Sequence, residues 1–163
     1  MLRFKRSILF FFLLTQINST FAQTYLGNFK TFSRVGNRIV VQTDSSALRF
    51  TFYKQNLVRV DYLPTMTTTF DTSLVVVQDT IFPVNYFVTD SDSTLTIETS
   101  SLRIACRKFP LRIEFYSASG ESIMGEPISG GMASYQSKRA AHVSIKPNEH
   151  FYGTGERGMS FDL

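Results

Sequence analysis

One cysteine, Cys106, is all that this sequence contains, together with two histidines and no tryptophan. A single thiol excludes an intramolecular disulfide, so the folded chain depends on packing alone. Two histidines, His142 and His150, stand at no spacing that would complete a metal site, and a thiol nucleophile would have to find its base among them. Long hydrophobic runs are also missing. The longest, Ile8 to Leu14, is interrupted by Thr15, Gln16, Asn18 and Ser19 well before the roughly 20 residues a membrane helix needs. No window sustains a helical period. A phosphate cradle finds no support either: Gly153 and Gly155 have no flanking βαβ unit, with a parallel strand before and a helix after.

What the first residues do contain is Arg3, Lys5 and Arg6, the short apolar run, and Thr20 and Ala22 at the small-residue positions before a cleavage point. This order is that of a secretory signal peptide, read here as residues 1–22, with residues 23–163 as the exported domain. Gln23 follows the cleavage point, so no lipid anchor is expected, and the product is placed in the periplasm or outside the cell, free of the membrane after cleavage. The leader holds three of the 17 basic and none of the 13 acidic residues, leaving 14 against 13. The net charge of +4 is therefore mostly export signal, and nucleic acid is not an expected partner. The remaining length suits one domain.

From Asn37 onward apolar and polar residues alternate in short runs bounded by turn residues, the period of half-buried strands. Leu48, Phe50 and Phe52 share one face, and after a turn at Lys54-Gln55-Asn56 the run Val58, Val60 and Tyr62 repeats the pattern, giving a hairpin. Further strands are expected at Ser73–Gln78, Tyr86–Thr89, Thr94–Glu98, Leu102–Cys106, Leu111–Phe115 and Ala141–Ile145, with 128–139 a long loop or weak edge. Sixteen phenylalanines and seven tyrosines fit pleated surfaces. The class is all-β, an antiparallel β-sandwich. Cys106 shares a face with Leu102 and Ile104, the position of a small buried hydrophobe and not of a nucleophile. His142 points away from the Ala141 and Val143 face.

The chain's last stretch, HFYGTGERGMSFDL, gathers glycine, aromatic residues and the adjacent charges Glu156 and Arg157. Gly153 and Gly155 permit a close backbone approach. Glu156 and Arg157 are either a structural pair or polar groups lining a pocket, and spacing alone does not show that Glu149, Glu156 and Asp162 converge.

This stretch resembles the F-Y-G-x-G-E-R motif in the amino-terminal domain of glycoside hydrolase family 31, the α-glucosidase and α-xylosidase family. ALRFTFYKQNLVRVDYLP is similar to the early hairpin of that domain, and STLTIETSSLRIACRKFPLRIEFYSASGESI to its later meander, so the likeness runs from about Gly36 to the last residue. It implies a galactose mutarotase-like β-sandwich set before a catalytic (β/α)8 barrel that acts on α-glycosides by a retaining mechanism, with both catalytic aspartates on the barrel. A barrel takes roughly 250 residues, and the family's nucleophile motif contains a tryptophan that this sequence lacks. The sandwich is then partial, with strand edges unpaired and an apolar face partly uncovered, and no catalytic residue, metal or cofactor is carried over. By the same resemblance Gly153, Gly155, Glu156, Arg157 and Asp162 are candidates for the substrate pocket or the domain interface. The expected function is support of an exported α-glycosidase whose carbohydrate partner binds through the barrel. The alternatives are a free-standing carbohydrate-binding module, using aromatics such as Tyr135 or Tyr152, and a structural or adhesive β-protein.

Overall fold

A computed structural model describes residues 24–63, 83–135 and 138–150 of the chain. Twelve strands and no helix occupy them: β1 (Thr24–Tyr25), β2 (Phe29–Val35), β3 (Arg38–Thr43), β4 (Ala47–Lys54), β5 (Leu57–Leu63), β6 (Phe87–Asp90), β7 (Thr94–Glu98), β8 (Leu102–Lys108), β9 (Leu111–Ser117), β10 (Ser122–Gly125), β11 (Ala133–Tyr135) and β12 (Lys138–Ala140). They form three antiparallel sheets in the orders β2-β3-β4-β5, β10-β9-β8-β7-β6 and β1-β11-β12. Each of the two larger sheets is a meander, because short turns connect strands that pair with their sequence neighbours.

Alternation decides which face each strand turns inward. Ile39 and Val41 of β3, Leu48, Phe50 and Phe52 of β4, Leu95 and Ile97 of β7, Ile104 and Cys106 of β8, and Ile113 of β9 are buried in one apolar cluster shared by the two larger sheets. The hairpin read from the sequence is present as β4 and β5, with Leu48 opposite Tyr62, Phe50 opposite Val60 and Phe52 opposite Val58. Its first strand is covered more fully than alternation predicts, since Arg49 and Thr51 are buried too. Arg49 is paired there by a fork of two bonds to one Asp61 oxygen, 2.9 and 2.7 Å, while Arg59 takes the other carboxylate oxygen at 2.7 Å.

Polar links pin the two sheets at both ends. At one end the Thr99 hydroxyl donates to the Gln55 carbonyl at 2.5 Å, joining the β7–β8 turn to the β4–β5 turn. At the other, Leu111 N–H donates to the Gly27 carbonyl at 2.8 Å. Gly27 is confined to glycine twice over: its φ is +83°, and a Cβ there would lie 1.9 Å from Asp44 Oδ1. The same bend is organised by buried Thr43, whose hydroxyl donates to the Leu26 carbonyl at 2.5 Å and accepts from Ser46 N–H at 2.8 Å.

Two expectations need correction. Ala141–Ile145 alternates in sequence but is not a strand: every residue of it is exposed, and pairing with β11 falls instead to Lys138–Ala140. Residues 128–139, expected as loop or weak edge, run as loop and then supply the short β11 and the start of β12, an edge strand of the small sheet. The strand expected at Tyr86–Thr89 begins one residue later, leaving Tyr86 to stack on Phe52 at 5.2 Å and to donate its hydroxyl to the Gly36 carbonyl at 2.7 Å. The expected strand at Ser73–Gln78 lies outside the described residues. Several apolar residues are exposed, among them Val35, Phe87, Phe109 and Ile128, and they are scattered over edges and turns.

Phe50 lies at the centre of the shared cluster and is fully buried, so Phe50→Ala is expected to cost about 3–5 kcal/mol in urea unfolding of the chain. A loss below about 1 kcal/mol would mean that the two sheets do not share this interior.

Candidate functional site

Gly153, Gly155, Glu156, Arg157 and Asp162 lie outside the described residues, so the geometry begins with the segment that leads to them. Residues 141–150 run beside the edge strand β10. His142 N–H donates to the Gly131 carbonyl at 3.4 Å, Ser144 N–H to the Gly125 carbonyl at 2.8 Å, and the Lys146 ammonium to the Ser122 carbonyl. The segment then reverses. Glu149 N–H donates to the Lys146 carbonyl at 3.1 Å, Lys146 N–H donates to the Glu149 carboxylate at 2.9 Å, and Asn148 takes a φ of 67°. Asparagine tolerates this left-handed conformation better than most residues. The chain is thereby turned at the end of the sheet where β10 starts and β9 finishes.

Glu126 ties together the strands beside this path. One carboxylate oxygen accepts Ile113 N–H from β9 and the other accepts Met132 N–H just before β11, both at 2.8 Å. The carboxylate thus joins the five-stranded sheet to the small one. Burial pushes its pKa up, while the two backbone donors, Arg112 and His142 pull it partly back. A raised carboxyl pKa is one mark of a general acid, but both oxygens here are spent on backbone N–H groups, which gives the residue a structural clamp's geometry. Gly131 makes room for it, since a Cβ there would lie 3.1 Å from the Glu126 carboxyl carbon. The sequence reading passed over Glu126. The available signal was a lone acid within the apolar run Ile123 to Ile128.

The other sequence candidates resolve more simply. Cys106 is completely buried, and burial, reinforced by the negative charge of Glu126, pushes its thiol up to about 12. It remains a neutral thiol at physiological pH, as its place beside Leu102 and Ile104 foretells. His142 and His150 are exposed in the irregular segment. Among the described residues no group of three His, Cys, Asp or Glu could hold a metal ion. No helix among them is long and apolar enough to cross a membrane.

Clefts open on the surface among the described residues. A cleft of about 170 Å³ lies between Tyr25, Pro110, Arg112, Ile128 and Met132. A larger one, about 560 Å³, crosses the end of the five-stranded sheet between Phe87, Glu98, Arg103 and the 117–120 turn. The described residues therefore provide clefts and clamps.

The pattern of the glycosyl hydrolase 31 N-terminal galactose mutarotase-like domain matches residues 47–163. The chain belongs to this family. Its all-β, antiparallel architecture agrees with the sandwich expected of such a domain. Alpha-glucosidase 2 of Bacillus thermoamyloliquefaciens is 26% identical over 132 residues, covering 81% of this chain and 17% of that protein. Among solved structures, the glycoside hydrolase 31 dextranase of Flavobacterium johnsoniae, complexed with isomaltotriose, superposes with a TM-score of 0.75 at 22% identity, over 85% of this chain and 17% of that one. The cycloalternan-forming enzyme of Listeria monocytogenes, in complex with a pentasaccharide substrate, gives 0.69 at 20% identity, over 86% and 14%. The glycoside hydrolase 31 domain here thus spans about a sixth of the length of the relatives it matches.

The Glu126 clamp carries a pH dependence of fixed sign. Its carboxyl is raised from the ordinary 4.5, so the folded chain holds the proton more tightly than the unfolded chain does. Its favourable contribution is complete below the ordinary value and is lost as pH rises through the raised one. Urea melts of the wild type and Glu126→Gln across this range should show the wild-type stability falling relative to the variant as pH rises. A relative rise would contradict the assignment.

Proposed function

We propose that this chain is the amino-terminal scaffold of an exported α-glycosidase, supporting a catalytic barrel and helping to shape its substrate pocket. One observation carries the reading: the family pattern runs unbroken from Ala47, at the start of β4, to Leu163, while the whole alignment fills only 17% of an α-glucosidase. The leader-like residues 1–22 support export. Family resemblance supports a barrel that supplies the catalytic aspartates and an α-linked glycoside as substrate. The relatives' action on dextran and on cycloalternan-related saccharides supports α-glucans as the substrate class.

In mechanistic terms the domain's work is positional. Backbone bonds from His142 to Gly131 and from Ser144 to Gly125 hold the approach to the terminal stretch, and the Glu156 and Arg157 motif would be carried onward from there. A side chain carried by this motif would reach a pocket with little orientational freedom left to lose, which is how a remote scaffold assists a reaction. Gly153 and Gly155 would allow close approach to the barrel, and Asp162 would follow on the same approach.

Genomic sequence beyond the Leu163 codon is expected to encode a (β/α)8 barrel in frame. The protein translated from that frame should hydrolyse 4-nitrophenyl α-glucoside, and the purified 163-residue chain should not exceed the blank rate. Turnover that stays with the 163-residue chain through purification would overturn the proposal.

A further inference from the structure

Register places four chemically distinct side chains in one row across the outer face of the five-stranded sheet. Phe87 of β6 stands opposite Glu98 of β7, Glu98 opposite Arg103 of β8, and Arg103 opposite Tyr116 of β9. Their sequence neighbours Val88, Ile97, Leu102, Ile104 and Phe115 belong to or pack against the core, so alternation turns the row itself outward. Adjacent strands lie about 4.8 Å apart, so three steps make the row about 14 Å long. The 560 Å³ cleft follows it, with Phe87, Glu98 and Arg103 in its wall and the 117–120 turn as its far rim. That volume falls within the range of roughly 300–1,000 Å³ found for ligand clefts.

The groups in the row are left available by the fold. Phe87 is 76% exposed, on the edge strand of its sheet. The Glu98 side chain is exposed and makes no hydrogen bond or ion pair among the described residues, although the Arg103 side chain stands opposite it. The Arg103 guanidinium lies over the Tyr116 ring, 4.4 Å from its centre; its Nε is buried without a hydrogen-bond partner among the described residues, so only the outer N–H groups of the guanidinium can serve a ligand. The stacking holds the guanidinium plane in one orientation, so its outer N–H groups are presented without a further loss of side-chain freedom.

Charge selects the ligand. Glu98 and Arg103 offset one another, which favours neither a polyanion nor a polycation. A neutral molecule that both donates and accepts at closely spaced points can use the two together: adjacent hydroxyls donate to the carboxylate and accept from the guanidinium. A flat apolar surface at one end of the row suits the C–H face of a pyranose ring, as aromatic side chains bury area at small entropic cost. We propose that this row is an accessory binding site for a neutral oligosaccharide, separate from any pocket on the barrel. It rests on the glycosidase reading for its substrate class, and it gives the scaffold a role in holding a glucan near the enzyme.

Isothermal titration of the full 163-residue chain with isomaltotriose, and affinity electrophoresis in gels containing neutral dextran, test this directly. Both probes should bind. Phe87→Ala should weaken binding about tenfold, the equivalent of roughly 1.4 kcal/mol, and Glu98→Gln should weaken it several-fold, both with unchanged thermal melting. Phe109→Ala, an equally exposed residue outside the row, should have no effect. Binding should also be insensitive to salt. Absence of binding to both probes, retention unaffected by Phe87→Ala and Glu98→Gln, or a salt-sensitive preference for dextran sulfate would overturn the site. These outcomes are independent of hydrolysis by the protein encoded by the longer frame, so failure of the accessory site and failure of the scaffold reading are distinguishable.

Discussion

Burial of two apolar sheet faces against one another is the constraint from which the rest of this domain follows. Phe50 and Phe52 on one sheet, and Leu95, Ile97, Ile104, Cys106 and Ile113 on the other, are removed from water in a single cluster. At about 25 cal/mol per Å² of apolar area, such side chains supply the main favourable term for a chain that has no disulfide. The polar links at Gly27 and Thr99 then fix how the sheets meet. They add little net energy individually, but leaving any of them unmade would strand a buried polar group.

Once the inward faces are spoken for, pleating fixes what the outward faces can offer. In the five-stranded sheet Phe87, Glu98, Arg103 and Tyr116 are lined up on the outer face by the same register that turns Val88, Ile97, Ile104 and Phe115 toward the core. The scaffold and its candidate binding row are two consequences of one alignment of strands. Glu126 extends the same economy to the small sheet. By accepting N–H groups from both β9 and the approach to β11, it ties the small sheet to the five-stranded one.

The sequence revealed most where burial and alternation coincide. The β4–β5 hairpin, the β7–β8–β9 meander and the inert Cys106 could all be read from it, because each has apolar residues at every second position facing one core. It revealed least where strands are short, exposed or held by side chains. β2 carries only Phe29 and Phe32 toward the core, three residues apart, which matches neither strand nor helix over its length. β10, β11 and β12 are three or four residues each, and neighbouring Glu126 supplies part of what holds them. Ala141–Ile145 shows the converse, an alternation with no face to bury. The binding row was invisible for a different reason: Phe87, Glu98, Arg103 and Tyr116 become neighbours only when register is known. Family resemblance, in contrast, was legible in the hairpin, the meander and the terminal motif, and the matched residues 47–163 contain all three.

Native-state amide hydrogen exchange tests the shared interior most directly. If the two large sheets close over one core, the slowest amides of β3 and β4 and those of β8 and β9 should exchange with the same opening free energy and the same dependence on low concentrations of urea. Loss of protection in β3 and β4 at urea concentrations where β8 and β9 remain fully protected would show two independent layers and contradict the account.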